Sequence, residues 1–189
     1  MLVVNARQFK IILTKDSEIM QHDPKKPQRK IIRLKGYDYS KPGYYFITIS
    51  TQNKLCLFGQ IVNREMILNE AGKMVHNEWL MLTSRYHNIV LHSFVVMPNH
   101  FHAILEIVSS SIGENATEIK RKTIGDMIGA FKSIVTVNYI QGVKQSNWKP
   151  FHKKLWQLSY WDVIFKTQES YFRISNYIKE NPSKKKKKE

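Results

Sequence analysis

Two histidines separated by a single residue, His100 and His102, are the side chains in this sequence best suited to chemistry. Side chains of a β-strand alternate between its two faces, so residues two apart point the same way. Two imidazoles on one face can bind a divalent cation and leave its other positions open to water or substrate, as a catalytic metal requires. A His-x-His pair alone is a modest signal, and a solvated or core-edge position is the alternative interpretation.

A β-hairpin is predicted to carry this pair. Residues 89–96 and 101–108 are rich in strand-forming residues, and residues 97–100 (MPNH) between them suit a tight turn. The second strand then has one face with both histidines and Glu106. Its opposite face is apolar and consists of Phe101, Ala103, Leu105 and Ile107.

Further strands are expected on both sides of this hairpin. Residues 44–51 are β-branched and aromatic and predict a central strand, and residues 61–68 predict a short hairpin. Residues 154–165 form either a strand or an irregular aromatic segment. The apolar neighbours of Cys56 predict a half-buried strand position for this cysteine instead of a reactive thiol.

Three helices are predicted, each opened by a residue that can cap it. They cover residues 70–82 after Asn69, residues 123–139 from Thr123, and residues 167–180 from Thr167. A loop is expected at residues 142–149, and Pro182 is expected to end the last helix. Strands interrupted by helices, with hairpins among the strands, predict an α+β sandwich with helices packed on an antiparallel sheet.

The formal net charge of +15 predicts a polyanionic partner, because a basic surface attracts phosphate and releases counterions on binding nucleic acid. Three parts are expected along the chain: an amino-terminal extension and linker at residues 1–28, one domain at residues 29–182, and a lysine-rich tail at residues 183–189. No secretory signal and no membrane span of roughly 18 apolar residues is evident, so we expect a cytoplasmic protein without a membrane partner.

The segment around the two histidines resembles the signature of the HUH endonucleases, in particular the single-tyrosine transposases of small insertion sequences and their REP-associated relatives. It spans residues 94–102 (FVVMPNHFH). The likeness covers roughly residues 29–182 and includes RLKGYDYS at 33–40, GYYFIT at 43–48, GDMIGAFKS at 125–133 and WQ at 156–157. The resemblance implies a ferredoxin-like sandwich and binding of Mg²⁺ or Mn²⁺ by the histidine pair.

The resemblance also implies a nucleophilic tyrosine on a late helix and selects Tyr177. Residues 175–182 (SNYIKENP) are similar to the closing helix of the family, where asparagine follows the tyrosine by four residues and proline comes next. Asn181 would share a helix face with Tyr177 and offer a carbonyl oxygen as a third metal ligand. A core-edge position for Tyr177 and helix capping by Asn181 are the alternatives.

Basic residues interleaved with aromatic ones are candidates for DNA binding, with a solvated basic surface over core aromatics as the alternative. They are Lys120, Arg121, Lys122, Lys132, Trp148, Lys149, Lys153 and Lys154. Two departures from the family pattern concern DNA recognition. Val163 and Lys166 stand where relatives often have histidine and arginine, and the lysine tail replaces the usual continuation.

The resemblance therefore implies a transposase of the prokaryotic nucleoid that nicks and rejoins single-stranded or hairpin-associated DNA through a 5′-phosphotyrosine. Its relatives resemble monomers or swapped homodimers, so either state is expected. One alternative is a noncatalytic DNA-binding relic of such an enzyme. Another is a metal-dependent hydrolase that uses the same histidines with an activated water.

Overall fold

The computed structural model describes residues 36–109 and 122–184. The predicted amino-terminal extension at residues 1–28, the last five residues of the tail, and two of the predicted DNA-binding residues, Lys120 and Arg121, lie outside these ranges. The predicted domain boundaries therefore remain predictions. Within the described ranges, no helix combines the length and the apolar character needed to cross a membrane.

Six strands are formed by the described residues. They are β1 (Gly43–Ser50), β2 (Gly59–Val62), β3 (Glu65–Leu68), β4 (Ile89–Met97), β5 (His100–Ile107) and β6 (Trp161–Phe165). Four of them form an antiparallel sheet in the order β4-β5-β1-β6, and β2 pairs with β3 as a separate hairpin. The predicted central strand and both predicted hairpins are confirmed. In the aromatic segment at 154–165, only residues 161–165 form a strand.

Four α-helices accompany the strands in the described part of the chain. They are α1 (Glu70–Leu80), α2 (Leu82–Arg85), α3 (Ile124–Gln145) and α4 (Gln168–Lys184). The side chain of Asn69 accepts a backbone N–H of α1 at 2.8 Å, and Thr123 forms a capping box at the start of α3. The Thr167 hydroxyl accepts a backbone N–H of α4 at 3.2 Å. All three predicted helix starts are confirmed.

The predicted end of α3 is wrong, because the helix continues through Gly142 to Gln145. A Cβ atom on Gly142 would come within 2.2 Å of the Trp148 ring. The missing side chain therefore lets Trp148 pack directly on the helix backbone, and this contact stabilises the helix where local propensity predicts a loop. The loop expected at residues 142–149 begins only after the last turn of α3.

Two predictions about exposed segments are also wrong. Pro182 does not end α4, which continues to Lys184. A proline this close to a helix end removes few hydrogen bonds, and the ion pair between Lys184 and Glu180, 2.6 Å long, spans the last turn. Cys56 is exposed in an irregular segment and not half-buried in a strand, because the neighbouring Leu57 takes the buried position.

The two faces of the sheet are covered by different helices. On one face, α1 and α3 enclose the main apolar core, in which the Trp79 ring lies 4.8 Å from that of Phe101 and 5.3 Å from that of Phe131. On the other face lies α4, whose Ile174 and Ile178 are buried. The predicted α+β sandwich is confirmed, and both histidines lie on the face that α4 covers.

Candidate active site

The turn that precedes β5 is fixed by the segment that follows β1. The N–H of Thr51, a fully buried residue, donates to the carbonyl of Asn99 at 3.0 Å. The N–H of Leu57 donates to the carbonyl of Pro98 at 2.8 Å. His100, the first residue of β5, therefore follows a turn whose backbone is held from outside the hairpin.

His100 and His102 lie side by side, with 4.7 Å between their ring centroids. Nδ1 of His100 lies 2.7 Å from Oδ1 of Asn99, and Nδ1 of His102 lies 2.8 Å from Oγ1 of Thr48. A partner at one ring nitrogen fixes the orientation of an imidazole and assigns metal binding to the other nitrogen. This geometry makes Nε2 the candidate coordinating atom of each ring.

His102 is enclosed between two aromatic rings and is only 4% exposed. The Phe46 ring stacks on it at 5.5 Å, and the Tyr177 ring contacts it at 5.5 Å from α4. Burial, and secondly the charge of His100, holds the pKa of His102 well below its usual range. The imidazole is therefore neutral near pH 7 and keeps a lone pair for a cation.

The helix α4 brings the Tyr177 ring against His102, and the Asn181 side chain contacts the Tyr177 hydroxyl. Burial raises the pKa of the Tyr177 hydroxyl, while the hydrogen bond from the Asn181 side chain and the charge of Lys184 lower it. The raised pKa means that the phenol is protonated at neutral pH and must lose its proton to act as a nucleophile. Asn181 lies inside the helix and does not cap it.

A divalent cation fits this donor set. Among the residues that the structure describes, no group of three or more His, Cys, Asp and Glu side chains could hold a metal. A cation bound to His100 and His102 would therefore complete its shell with amide, water or phosphate oxygens. Such a partly open shell is typical of catalytic metals and not of structural ones.

Three of the predicted DNA-binding residues lie on one exposed loop between α3 and β6. They are Lys149, Lys153 and Lys154. The same loop continues along the segment after β1, where Thr51 pairs with Trp156 and the N–H of Gln52 donates to the carbonyl of Leu155 at 2.8 Å. This basic loop therefore reaches the end of the sheet at which His100 lies.

Lys132 has a different environment, since it is half-buried and its ammonium group binds backbone carbonyls. Nζ donates to the carbonyls of Gln157 at 2.8 Å and Leu158 at 3.3 Å. Burial lowers the pKa of Lys132. Its visible contacts fix the segment before β6, and a contact with phosphate remains a prediction.

The structure places Lys122 away from the histidines and packs Trp148 against α3. Lys122 is exposed just before α3, whose first N–H donates to the carbonyl of Tyr39 at 3.0 Å, near the end of β1 that lies away from His100. Trp148 packs edge-on against the Tyr139 ring at 5.4 Å. A stacking role for Trp148 and a phosphate contact for Lys122 remain predictions.

Sequence reasoning missed three neighbours of the histidines. Phe46 and Thr48 lie two apart on β1, and Thr48 stands directly opposite His102 in the antiparallel register. Asn99 immediately precedes His100 in the turn. The alternation of residues 44–51 places Phe46 and Thr48 on one face, and only the order of the strands, which the sequence does not specify, brings that face to the histidines.

Comparisons with known proteins agree with this fold. No known family model matches the chain. An uncharacterized protein from Haemophilus influenzae (strain ATCC 51907 / DSM 11121 / KW20 / Rd) is 36% identical over 168 residues, which cover 82% of this chain and 88% of that protein. A REP-associated tyrosine transposase solved with a REP hairpin is similar at a TM-score of 0.52 and 18% identity, over 78% of this chain and 71% of that one. The second likeness shows the fold and confirms the one implied by the sequence resemblance.

Proposed function

The chain belongs to the same protein family as the uncharacterized Haemophilus influenzae protein and has the fold of a REP-associated tyrosine transposase, and from this we propose that it is a DNA-nicking transposase. Its substrate in this proposal is single-stranded DNA next to a hairpin. The observation that carries the proposal is the contact between Tyr177 and His102, 5.5 Å between ring centroids, beside the second imidazole of His100.

Tyr177 is the nucleophile in the proposed mechanism. Its hydroxyl oxygen attacks the scissile phosphorus in line, a bond forms between phosphorus and the tyrosine oxygen, and the bond from phosphorus to the 3′-oxygen breaks. The phenol proton leaves to solvent and the departing 3′-oxygen takes one up, which gives a 5′-phosphotyrosine and a free 3′-hydroxyl. Attack by the 3′-hydroxyl of another strand reverses these bond changes, joins the DNA and restores Tyr177.

The proposed metal ligands are Nε2 of His100, Nε2 of His102 and the side-chain oxygen of Asn181, for Mg²⁺ or Mn²⁺. A bound cation would supply positive charge against the charge that develops on the phosphate. The amide nitrogen of Asn181 donates a hydrogen bond that favours the Tyr177 phenolate, and its oxygen is a separate atom. Asn181 can therefore serve the nucleophile and the metal together.

The basic loop that carries Lys149, Lys153 and Lys154 is proposed to bind DNA phosphates next to the site. The net charge of +15 supports a nucleic-acid partner. The position of these lysines at the His100 end of the sheet supports their contact with the strand that is cut. We place the activity at the prokaryotic nucleoid, in a monomer or a homodimer.

A denaturing gel with labelled hairpin oligonucleotides from the flanking genomic DNA tests this function. The protein should form a covalent DNA adduct that requires Mg²⁺ or Mn²⁺. Tyr177→Phe, which removes one oxygen atom, and His100→Ala should each lower adduct formation by a factor of about 1,000 or more, below detection. Tyr86→Phe, a matched change at a half-buried tyrosine before β4, should leave it unchanged.

The other outcomes of this experiment separate the alternatives. DNA binding without an adduct under any metal identifies a noncatalytic DNA-binding protein. Metal-dependent nicking that survives Tyr177→Phe without an adduct identifies a hydrolase that uses an activated water.

A further inference from the structure

The strand β4 contains a bulge directly beneath α4. Leu91 pairs with Leu105 and Phe94 pairs with Ala103, so two residues of β4, His92 and Ser93, stand where a regular strand has one. Leu91 and Phe94 both pack against the main core. In a regular strand His92 and Ser93 would point to opposite faces, whereas a bulge can turn both to the same side.

Both bulge residues contact α4. Nδ1 of His92 lies 3.1 Å from the hydroxyl of Tyr171, and Oγ of Ser93 lies 2.6 Å from Oγ of Ser175. Behind His92, Nε2–H donates to the Glu106 carboxylate at 2.9 Å. A carboxylate only accepts hydrogen bonds, so this contact places a proton on Nε2, and the other ring nitrogen, Nδ1, faces the Tyr171 hydroxyl.

These contacts form one of three parallel rows on the inner side of α4. The polar row, Tyr171 and Ser175, lies on the bulge, and the apolar row, Ile174 and Ile178, is buried against the sheet. The third row carries Tyr177 over His102. Each row joins residues four apart, so fixing one row fixes the rotation of the others.

Apolar packing alone would not fix the position of Tyr177 well. Ile174 and Ile178 provide a driving force that is not directional and that tolerates small shifts of the helix along the sheet. Hydrogen bonds depend on both distance and angle, so they define the height of α4 along the sheet and its rotation about its own axis. Tyr177 lies six residues beyond Tyr171, about 9 Å along the helix. A shift of α4 therefore displaces the hydroxyl oxygen of Tyr177 that attacks DNA.

We propose that His92 and Ser93, together with Glu106, are positioning residues that set the height and rotation of α4 and so hold Tyr177 over His102. The inference rests on the function proposed above and concerns the same site. A displacement of a reacting group by 1 Å can lower a rate about 100-fold. We call His92, Ser93 and Glu106, together with their α4 partners Tyr171 and Ser175, the bulge latch. In this proposal the latch controls the rate of adduct formation without contacting DNA or metal.

Single-turnover adduct formation with Tyr171→Phe and Ser175→Ala tests the latch. Each variant should lower the maximal rate at saturating DNA by about tenfold or more, because the nucleophile is displaced. The DNA concentration that gives half the maximal rate and the Mn²⁺ affinity should not change. Tyr86→Phe is again the matched control, and His92→Asn, which keeps a polar atom near the Nδ1 position, should retain more activity than His92→Ala.

Hydrogen exchange of α4 amides, measured without DNA or metal, tests the latch independently of activity. Tyr171→Phe and Ser175→Ala should raise exchange across α4 and leave β1 and β5 unchanged. Wild-type rates together with wild-type exchange in both variants would overturn the latch and leave the proposed function intact. A wild-type protein that forms no adduct would overturn the function, and the exchange measurement would still decide the latch. An adduct that survives Tyr177→Phe and is lost in Tyr171→Phe would make Tyr171 the nucleophile and overturn both.

Discussion

The two faces of the central sheet separate packing from chemistry. On β5, Phe101 lies within the aromatic core against Trp79 and Phe131, while its sequence neighbours His100 and His102 lie on the opposite face under α4. The strand is the same, and only the alternation of side chains divides them. The core face can therefore stabilise the backbone of β5 without contributing an atom to the candidate site.

The faces also differ in how polar groups are satisfied. Under α4, His102 has a hydrogen-bond partner in Thr48, and Ser93 has one in Ser175. In the opposite core, the indole N–H groups of Trp79 and Trp156 are buried with no partner among the described residues. An unpaired buried N–H costs about 1–3 kcal/mol, and the burial of a large aromatic ring offsets it. Packing decides the arrangement of the core face, and hydrogen-bond geometry decides that of the α4 face.

Phe131→Ala should give the largest change in stability, since Phe131 is fully buried between Trp79 and Phe101. Loss of the ring and the cavity that remains should lower the free energy of unfolding by about 3–5 kcal/mol. The rate of adduct formation per folded molecule should stay within about twofold of wild type, because the variant changes only the core face. Guanidinium denaturation measures the stability.

Phe172→Ala is the matched control for this variant. Phe172 lies on the outer side of α4 and is 56% exposed, so its removal should change the free energy of unfolding by less than about 0.5 kcal/mol. If Phe131→Ala is no less stable than Phe172→Ala, the assignment of stability to the core face is wrong. If folded Phe131→Ala protein no longer forms the adduct, the two faces of the sheet are coupled.

Thr48→Val should show the opposite pattern, with an effect on metal binding and little on stability. The change keeps the shape of the side chain and removes the hydroxyl that partners Nδ1 of His102. Loss of such a partner lowers metal affinity about 10- to 100-fold, which isothermal titration with Mn²⁺ can measure. The free energy of unfolding should change by about 1 kcal/mol or less.

Thr136→Val controls for the loss of a threonine hydroxyl elsewhere. Oγ1 of Thr136 donates to the carbonyl of Lys132 within α3, remote from the histidines. Mn²⁺ affinity should remain that of wild type. Equal Mn²⁺ affinity in both threonine variants would mean that Thr48 does not support a metal ligand. It would contradict this part of the comparison.

The parts of the fold that were predicted correctly depend on local physics. Asn69 and Thr123 cap helices through hydrogen bonds to residues three positions away. The turn before His100 was predicted from its own proline and asparagine, although the segment after β1 also holds it. The predicted end of α3 failed because Trp148 packs on Gly142, a contact that helix propensity does not include.

The sequence predicted the residues of the candidate site but not the residues that position them. The resemblance selected His100, His102 and Tyr177, and the structure brings their rings together. The bulge at His92 and Ser93 could not be predicted, because both lie within a continuous strand-forming segment without glycine or proline. Its two-to-one register emerges only when β4 pairs with β5.

The lysine side chains of the basic loop are exposed and pack on neither face, so their replacement should change DNA affinity alone. Replacing Lys149, Lys153 and Lys154 together by glutamine should weaken binding of a single-stranded oligonucleotide about tenfold at moderate salt. If each lysine binds one phosphate, the slope of log affinity against log salt should decrease by about 2, at roughly 0.7 per contact. Fluorescence anisotropy over a salt series measures both quantities.

A triple substitution at exposed lysines outside this loop, Lys41, Lys73 and Lys144, removes the same charge and is the control. It should lower affinity less, because general attraction falls off within a screening length of about 10 Å at 0.1 M salt, whereas contacted phosphates release their counterions. Equal salt slopes for both triple variants would mean that the loop contributes only net charge. A slope that falls only for the loop variant, at an unchanged maximal adduct rate, would place the bound strand beside His100 and make DNA binding separable from both faces of the sheet.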